Sequence, residues 1–388
     1  MPLYLALTIL TPLAARTTKK NTPAGSRRSY LNGITLFVIF VALFAVSSLR
    51  GDVGNDYYWY TVIMHEVSVH GMVPTEAGFN VLVYVLYAFF GYENYRFVFA
   101  VLSLMTVGLF LLWLWRESED FAFSLALFML SGCYFQSFST VRYYAAMPLA
   151  LLSFRYCMKR DWPRFVLMVV AASLMHKSTL IVLLFYPLAS IRWKKSLAAF
   201  GLVCAAFVAL FPGFWMQVAL RLYPSYQTAA FLGDESSPLN IVRCLLVLML
   251  AGYVIHHNAG SDSHAYLQDI LNSDLIFAAD NRGKMSTIPS VTVEADRTVG
   301  AYIRMSLMAL VMYVCASFLP QLSRLAFYLT LPQFILLPAL VGRVQDVSRR
   351  KLLHTLVIAF FALVFLRFLL HASDTGIRVL PYTSFIFE

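Results

Sequence analysis

Long apolar runs separated by short polar breaks recur along the whole chain, at residues 3–15, 31–48, 79–90, 97–115, 165–190, 197–216, 239–256, 301–319, 325–341 and 352–370. Many of them approach the ~20 residues that an α-helix needs to cross a hydrocarbon core of ~30 Å. A transmembrane barrel would alternate apolar and polar residues over segments of about ten. The mostly apolar run at 352–370 does not. The pattern predicts an all-α, polytopic integral membrane protein with roughly ten to twelve membrane-crossing or membrane-embedded helices. Residues 1–388 are expected to form a single membrane domain.

Composition agrees: 60% of the 388 residues are hydrophobic and only 13% are charged, against about a quarter charged in soluble domains. Mean hydropathy is +0.70. A formal charge of +10 would admit a nucleic-acid partner. The lysines and arginines sit in short loops between apolar runs, however, where they set membrane orientation instead. Cys133, Cys157, Cys204, Cys244 and Cys315 are scattered, without zinc or disulfide spacing. The HEVSVH run places His65 and His70 one position too far apart for a metal-binding helix pair. We therefore expect no metal and no cofactor.

The basic loops give a topology. Clusters at Arg16–Arg28, Arg155–Arg164, Arg192–Lys195 and Arg343–Lys351 read as cytoplasmic. Crossings counted from them place the polar insert 257–299 inside and the tail 371–388 outside. The first apolar run is short, and no Lys or Arg precedes it, which argues against a signal peptide. Residues 165–190 must begin and end inside yet are too long for one comfortable span, so a break is expected at Met175-His176-Lys177-Ser178. Residues 79–90 are short enough for a re-entrant or interfacial helix. Trp162, Trp193 and Trp215 fall at span ends, as an aromatic belt requires.

With that topology the outer face gathers polar residues: 50–60 (RGDVGNDYYWY), 74–79 (PTEAGF), 139–144 (STVRYY), MHKS at 175–178, Arg221, Arg324 and the tail. Gly51 and Gly54 permit tight turns that present Asp52 and Asp56 without a helix to fix them. Arg142 begins an apolar helix and Arg243 lies inside another. A charge in such a position costs about 2.5–3.5 kcal/mol on insertion scales, so each needs a compensating role. One role is an ion pair with Asp52, Asp56 or Glu76. The other is anion binding, for which a planar guanidinium is suited.

In order along the chain come Arg50-Gly51 with Asp56 and Tyr60, Glu76-Ala77-Gly78-Phe79, Arg142 before a small-residue-rich helix, His176 with Ser178, Arg324 with Tyr328, and Leu380-Pro381-Tyr382. With these elements the chain resembles, over nearly its full length, the EpsG-type branch of the Wzy-like bacterial polysaccharide polymerases. It departs from the family pattern at Tyr143, where Gln is frequent, at Ala77, where Pro is frequent, and in the length of the insert. The resemblance implies a GT-C-like multi-pass enzyme of the bacterial inner membrane, acting in O-antigen, exopolysaccharide or capsule synthesis. It would join undecaprenyl-diphosphate-linked repeat units at the outward face, with membrane lipids and a chain-length regulator protein as further partners.

On that reading Glu76, Asp56 and His176 compete as the base for an acceptor hydroxyl. Arg50, Arg142 and Arg324, with Tyr60, Tyr143, Ser178 and Tyr328, would hold the sugar and diphosphate. The alternatives are a lipid-linked-sugar glycosyltransferase or ligase, and a transporter or flippase. The broken helix at His176 would suit the latter.

Overall fold

The computed structural model describes residues 1–20, 22–191, 203, 207, 210–222, 238–258, 290–316 and 321–386. Among these, regular structure is helical apart from one isolated bridge between Arg50 and Ser384. Two compact units are present: Met1–Leu180 with Ser348–Glu388, and Ile181–Val347.

The first unit contains α1 (Pro2–Ala15), α2 (Arg27–Ser48), α3 (Tyr57–His70), α4 (Ala77–Phe90), α5 (Tyr95–Glu117), α6 (Phe121–Leu130), α7 (Cys133–Gln136), α8 (Val141–Met158) and α9 (Trp162–Ser173). The second unit holds α10 (Val182–Ser190), α11 (Pro212–Leu222), α12 (Pro238–Asn258), α13 (Ser290–Ala316), α14 (Gln321–Thr330) and α15 (Gln333–Gly342). The chain then returns to the first unit through α16 (Val347–His371). Six helices are long and apolar enough to cross a membrane, and five shorter apolar helices accompany them among the described residues. Together they fall within the expected range, and the chain is an all-α multi-pass membrane protein.

Side-chain caps set several starts by satisfying otherwise orphaned N–H groups. Ser26 accepts from Ser29 N at 3.2 Å before α2, Asp120 from Phe123 N at 3.0 Å before α6, and Asp161 from Arg164 N at 3.3 Å before α9. The expected break near His176 is present. The main-chain N–H groups of Met175 and His176 both donate to Ala172 O, at 3.0 and 3.1 Å, and close α9. A 3₁₀ turn, Lys177–Ile181, then leads into α10.

Other expectations need correction. The polar stretch after Arg50 ends at Asp56, and α3 begins at once, so Asp56 stands at a helix N-terminus. The turn before it uses a positive φ at Asp52 and Gly54 (40° and 105°), and Gly51 is not among the residues with positive φ. Helix α6 has ten residues, too few to register as a span in the sequence. The run expected at 325–341 is present as one membrane-length span, Leu322–Gly342, which α14 and α15 form together with a turn at Leu331-Pro332, where proline lacks the N–H that would continue the ladder. Of the insert 257–299, residues 259–289 lie outside those described, and its two edges are helical, in α12 and α13. Most of the span expected at 197–216 also lies outside the described residues.

In the second unit Arg243 is 5% exposed and finds neutral acceptors: its Nε donates to Gln333 Oε1 at 2.7 Å and its Nη2 to Thr330 O at 3.1 Å. These bonds tie α12 to the α14–α15 junction, a structural task.

The first unit has two chemically distinct ends. At one, Lys20 donates to Arg116 O (3.3 Å) and lies over Trp115, while Arg155 approaches Glu117 at 4.0 Å. At the other, the tail folds back on the Arg50–Asp56 turn. Gly51 N–H donates to Thr383 O (3.0 Å), Gly54 N–H to Arg378 O (2.8 Å) and Asn55 N–H to Ile377 O (3.2 Å), and Arg378 pairs with Asp52. Tyr4 and Tyr382 donate to Val379 O (2.6 Å) and Val46 O (3.0 Å). Beneath this strap Arg50 is 2% exposed. It donates to Ser47 O and to Ser103 Oγ (3.2 Å), between the rings of Phe99 and Phe138 at 5.2 Å each.

Single cysteines replacing Lys159 and Thr375, at opposite ends of this unit, should react with a membrane-impermeant thiol reagent from opposite sides. Thr375 should label from outside intact cells and Lys159 only after permeabilisation. Labelling of both from one side would contradict the topology.

Candidate functional site

The site is built where α3 and α4 pack against α5 and α8. Tyr60, Met64 and Val67 of α3 meet Phe79, Val83 and Leu86 of α4 in one buried apolar cluster with Val98, Phe99, Leu102, Val141 and Ala145. That packing fixes the start of α4, and Glu76 is the residue immediately before it. Arg142 stands in the first turn of α8, and His176 stands in the break after α9.

A close approach brings the break to Glu76. A Cβ on Gly78 would lie 2.6 Å from Leu174 Cβ and 2.7 Å from Leu174 O, so only glycine lets α4 begin against the end of α9. The carboxylate of Glu76 then collects three partners. Oε2 pairs with Arg142 Nη1, and Oε1 lies 3.2 Å from His176 Nδ1 and accepts the Lys177 main-chain N–H at 3.2 Å. The side chains of Glu76, Arg142 and His176 are 9%, 17% and 29% exposed. Burial raises the Glu76 carboxyl, but the His176 hydrogen bond, the Arg142 charge and the Lys177 N–H outweigh it and hold the group at about 2.

The Arg142 guanidinium also lies over Tyr60 (5.4 Å) and Phe79 (5.1 Å), a cation–π setting that keeps it in place while its buried Nε has no hydrogen-bond partner. Tyr143 stands edge-on to His176 at 5.3 Å. The cluster opens into a cavity of about 420 Å³ that Thr75, Ala77, Ser173 and Lys177 also line.

Of the residues singled out in the sequence, the structure thus unites Glu76, Arg142 and His176, with Tyr60 and Tyr143 packed on them. Ser178 follows in the 3₁₀ turn. Asp56 lies one helical turn before Tyr60, whose N–H its carbonyl accepts at 2.9 Å. Arg50 is buried under the tail and does not line the cavity. Arg324 and Tyr328 share α14, in the second unit, where Tyr328 is fully buried. Lys177, Gly78 and Phe79 stand inside the sequence motifs with no role legible there. The only local signal was their place inside two polar interruptions of apolar runs.

A family model, the EpsG family, matches residues 33–384. The chain belongs to the EpsG family. This is a family of Wzy-like polysaccharide polymerases, which assigns the EpsG chain a polymerase-type role in polysaccharide biosynthesis. The match spans both units and every residue of the cluster. No curated protein sequence and no solved structure matches the chain.

In this EpsG protein, Gly78→Val should force α4 and α9 apart. The added atoms have a main-chain carbonyl in their path, and overpacking of this kind costs about 1–3 kcal/mol. A lowered melting temperature in detergent, together with loss of polymerisation, is the expected result. An unchanged melting temperature would show that the close approach does not hold the site.

Proposed function

We propose that the Glu76–Arg142–His176 cavity is where an undecaprenyl-diphosphate-linked repeat unit gives up its glycan to a lipid-linked acceptor, at the outward face of the bacterial inner membrane. The observation that carries this reading is one carboxylate held by a guanidinium and an imidazole at the mouth of one cavity, in a chain of this family.

The reaction has two demands. An acceptor hydroxyl must lose its proton as it attacks the anomeric carbon, and the bond from that carbon to the diphosphate must break with charge moving to oxygen. A carboxylate held at about 2 takes up a proton poorly at neutral pH, so Glu76 is the orienting group and His176 the base. With Nδ1 on Glu76, the imidazole has Nε2 for the acceptor's proton, the logic by which an acid–imidazole pair serves nucleophiles generally. Arg142 and Lys177 receive the diphosphate oxygens, where fixed positive groups lower the barrier most. Asp56 and Tyr143 are assigned to sugar hydroxyls. A GT-C-like arrangement and a chain-length regulator as partner belong to the same proposal.

The break between α9 and α10 also suits a transporter, since broken helices line substrate sites in that class. A flippase would leave the lipid-linked repeat unit unchanged, whereas a polymerase lengthens it and releases lipid diphosphate.

Purified protein given a defined lipid-diphosphate donor should therefore produce polymer. Arg142→Lys, which keeps the charge and loses the planar fork, should reach the membrane at wild-type abundance and polymerise at least ~10-fold more slowly, about 1.4 kcal/mol of transition-state stabilisation. Normal turnover by this variant would remove Arg142 from the diphosphate site, and its absence from the membrane would make it an ion-pair anchor only.

The pH profile separates Glu76 from His176 as the base. Because the folded Glu76 carboxyl is lowered to about 2, its ionised form and the stability it confers are complete above the ordinary carboxylate range of about 4.3. They are lost only as pH falls toward the folded value. An acid limb of kcat/KM in the ordinary carboxylate range should accordingly be absent, and His176→Asn should remove most activity. An acid limb near 4 that Glu76→Gln abolishes would make Glu76 the base.

A further inference from the structure

Thr75 lines the Glu76 cavity, and the residue that orients its hydroxyl lies behind the cavity wall. Asn80, at the end of the first turn of α4, is 1% exposed. Its Nδ2 donates to Val73 O at 2.9 Å, and its Oδ1 accepts from Thr75 Oγ1 at 2.9 Å. Val73 O also takes the Thr75 main-chain N–H at 2.6 Å.

This chain of bonds has one direction. A main-chain carbonyl only accepts, so the NH2 end of Asn80 must face Val73 and its oxygen must face Thr75. Turning the amide over would set its oxygen against Val73 O at a place shut off from water, which is costly. An amide oxygen also only accepts, so the Thr75 hydroxyl has to donate to it. The single hydroxyl proton of Thr75 is thereby committed inside the protein, and toward the cavity its oxygen can only accept.

The other polar side chains of the wall offer something different. Arg142 and Lys177 are donors only. The oxygens of Glu76 already hold Arg142, His176 and the Lys177 main-chain N–H. Ser173 donates to Val170 O at 2.7 Å, but that carbonyl also receives the Leu174 N–H at 3.2 Å, so the serine hydroxyl can turn away without orphaning it. A group that binds Thr75 must bring a proton. An ionised phosphate oxygen brings none and is drawn to Arg142 and Lys177 instead, whereas a sugar hydroxyl meets the requirement.

We propose that Thr75 is a binding and specificity residue whose Oγ1 accepts a hydrogen bond from one hydroxyl of the sugar held in this cavity. Asn80 is its positioning residue. The inference rests on the reading of the cavity as the site of glycan transfer, and it adds a preference for a sugar that carries a hydroxyl at one particular position.

The test uses purified full-length protein in detergent and a series of lipid-diphosphate-linked repeat units, the intact one and analogues that each lack one sugar hydroxyl. Dissociation constants are measured, so no turnover is needed. The wild type should bind one analogue about tenfold more weakly than the intact unit, the worth of one neutral hydrogen bond. Thr75→Val should bind the intact unit about tenfold more weakly and no longer distinguish it from that analogue. Thr75→Ser, which keeps the oxygen, should retain the penalty, and Thr75→Ala makes the same comparison if the valine variant does not fold. A wild type that binds every analogue as tightly as the intact unit would overturn the proposal, as would the same spread of affinities in the wild type and Thr75→Val. Discrimination of the analogue by a wild type that makes no polymer would sink the polymerase reading and leave Thr75 in its role. A wild type that binds no member of the series would overturn both.

Discussion

The candidate site depends on a single carboxylate that is mostly removed from solvent. Taking Glu76 out of water is costly, and the cost is offset only because a guanidinium, an imidazole and a main-chain N–H converge on its two oxygens. Those three partners come from the start of α8 and from the break after α9, so the carboxylate joins segments that are far apart in sequence. Removing it would leave Arg142 half-buried among aromatic rings without its counter-charge, the circumstance in which losing one member of an ion pair is most damaging.

That convergence requires exact placement of the main chain on both sides. Gly78 lets α4 begin in contact with Leu174, and the buried faces of α3 and α4 keep the approach from opening. On another flank, the returning tail bonds to the Arg50–Asp56 turn and, through Ser139 Oγ donating to Ile377 O at 2.9 Å, to the residues just before α8. Arg50 under that strap is a cation without a carboxylate partner among the described residues, satisfied in part by serine oxygens and by two aromatic faces. Its burial pulls the guanidinium down to about 10, which leaves it charged at neutral pH. In this arrangement it locks the turn that leads into α3.

Hydropathy made the long helices legible, because a run of apolar residues near membrane length has few other uses. The break at His176 was legible for a related reason: length and the positive-inside count could not both be satisfied by one helix. Helix α6 and the Leu331-Pro332 interruption were not, since ten apolar residues and a proline fit several local structures. The pairing of Arg142 was narrowed to three acids, and sequence could not choose among them because the choice is made by the packing of α3 and α4. The tail strap is the least local feature of all, joining residues more than three hundred positions apart, and nothing in either segment's composition announces the other. Arg243 read the same as Arg142 in the sequence. Only its neighbours, a glutamine and a carbonyl, reveal a structural role.

In the proposed reaction Glu76 acts through His176, not beside it. A double-mutant cycle on kcat/KM measures this directly, using Glu76→Gln, His176→Asn and the pair, with a defined lipid-diphosphate donor and membrane abundance held constant. Residues that work as a unit are strongly non-additive. The double variant should then be no slower than the worse single variant, within about twofold. Losses that multiply, so that the double variant falls by the product of the two single effects, would show independent roles and contradict it.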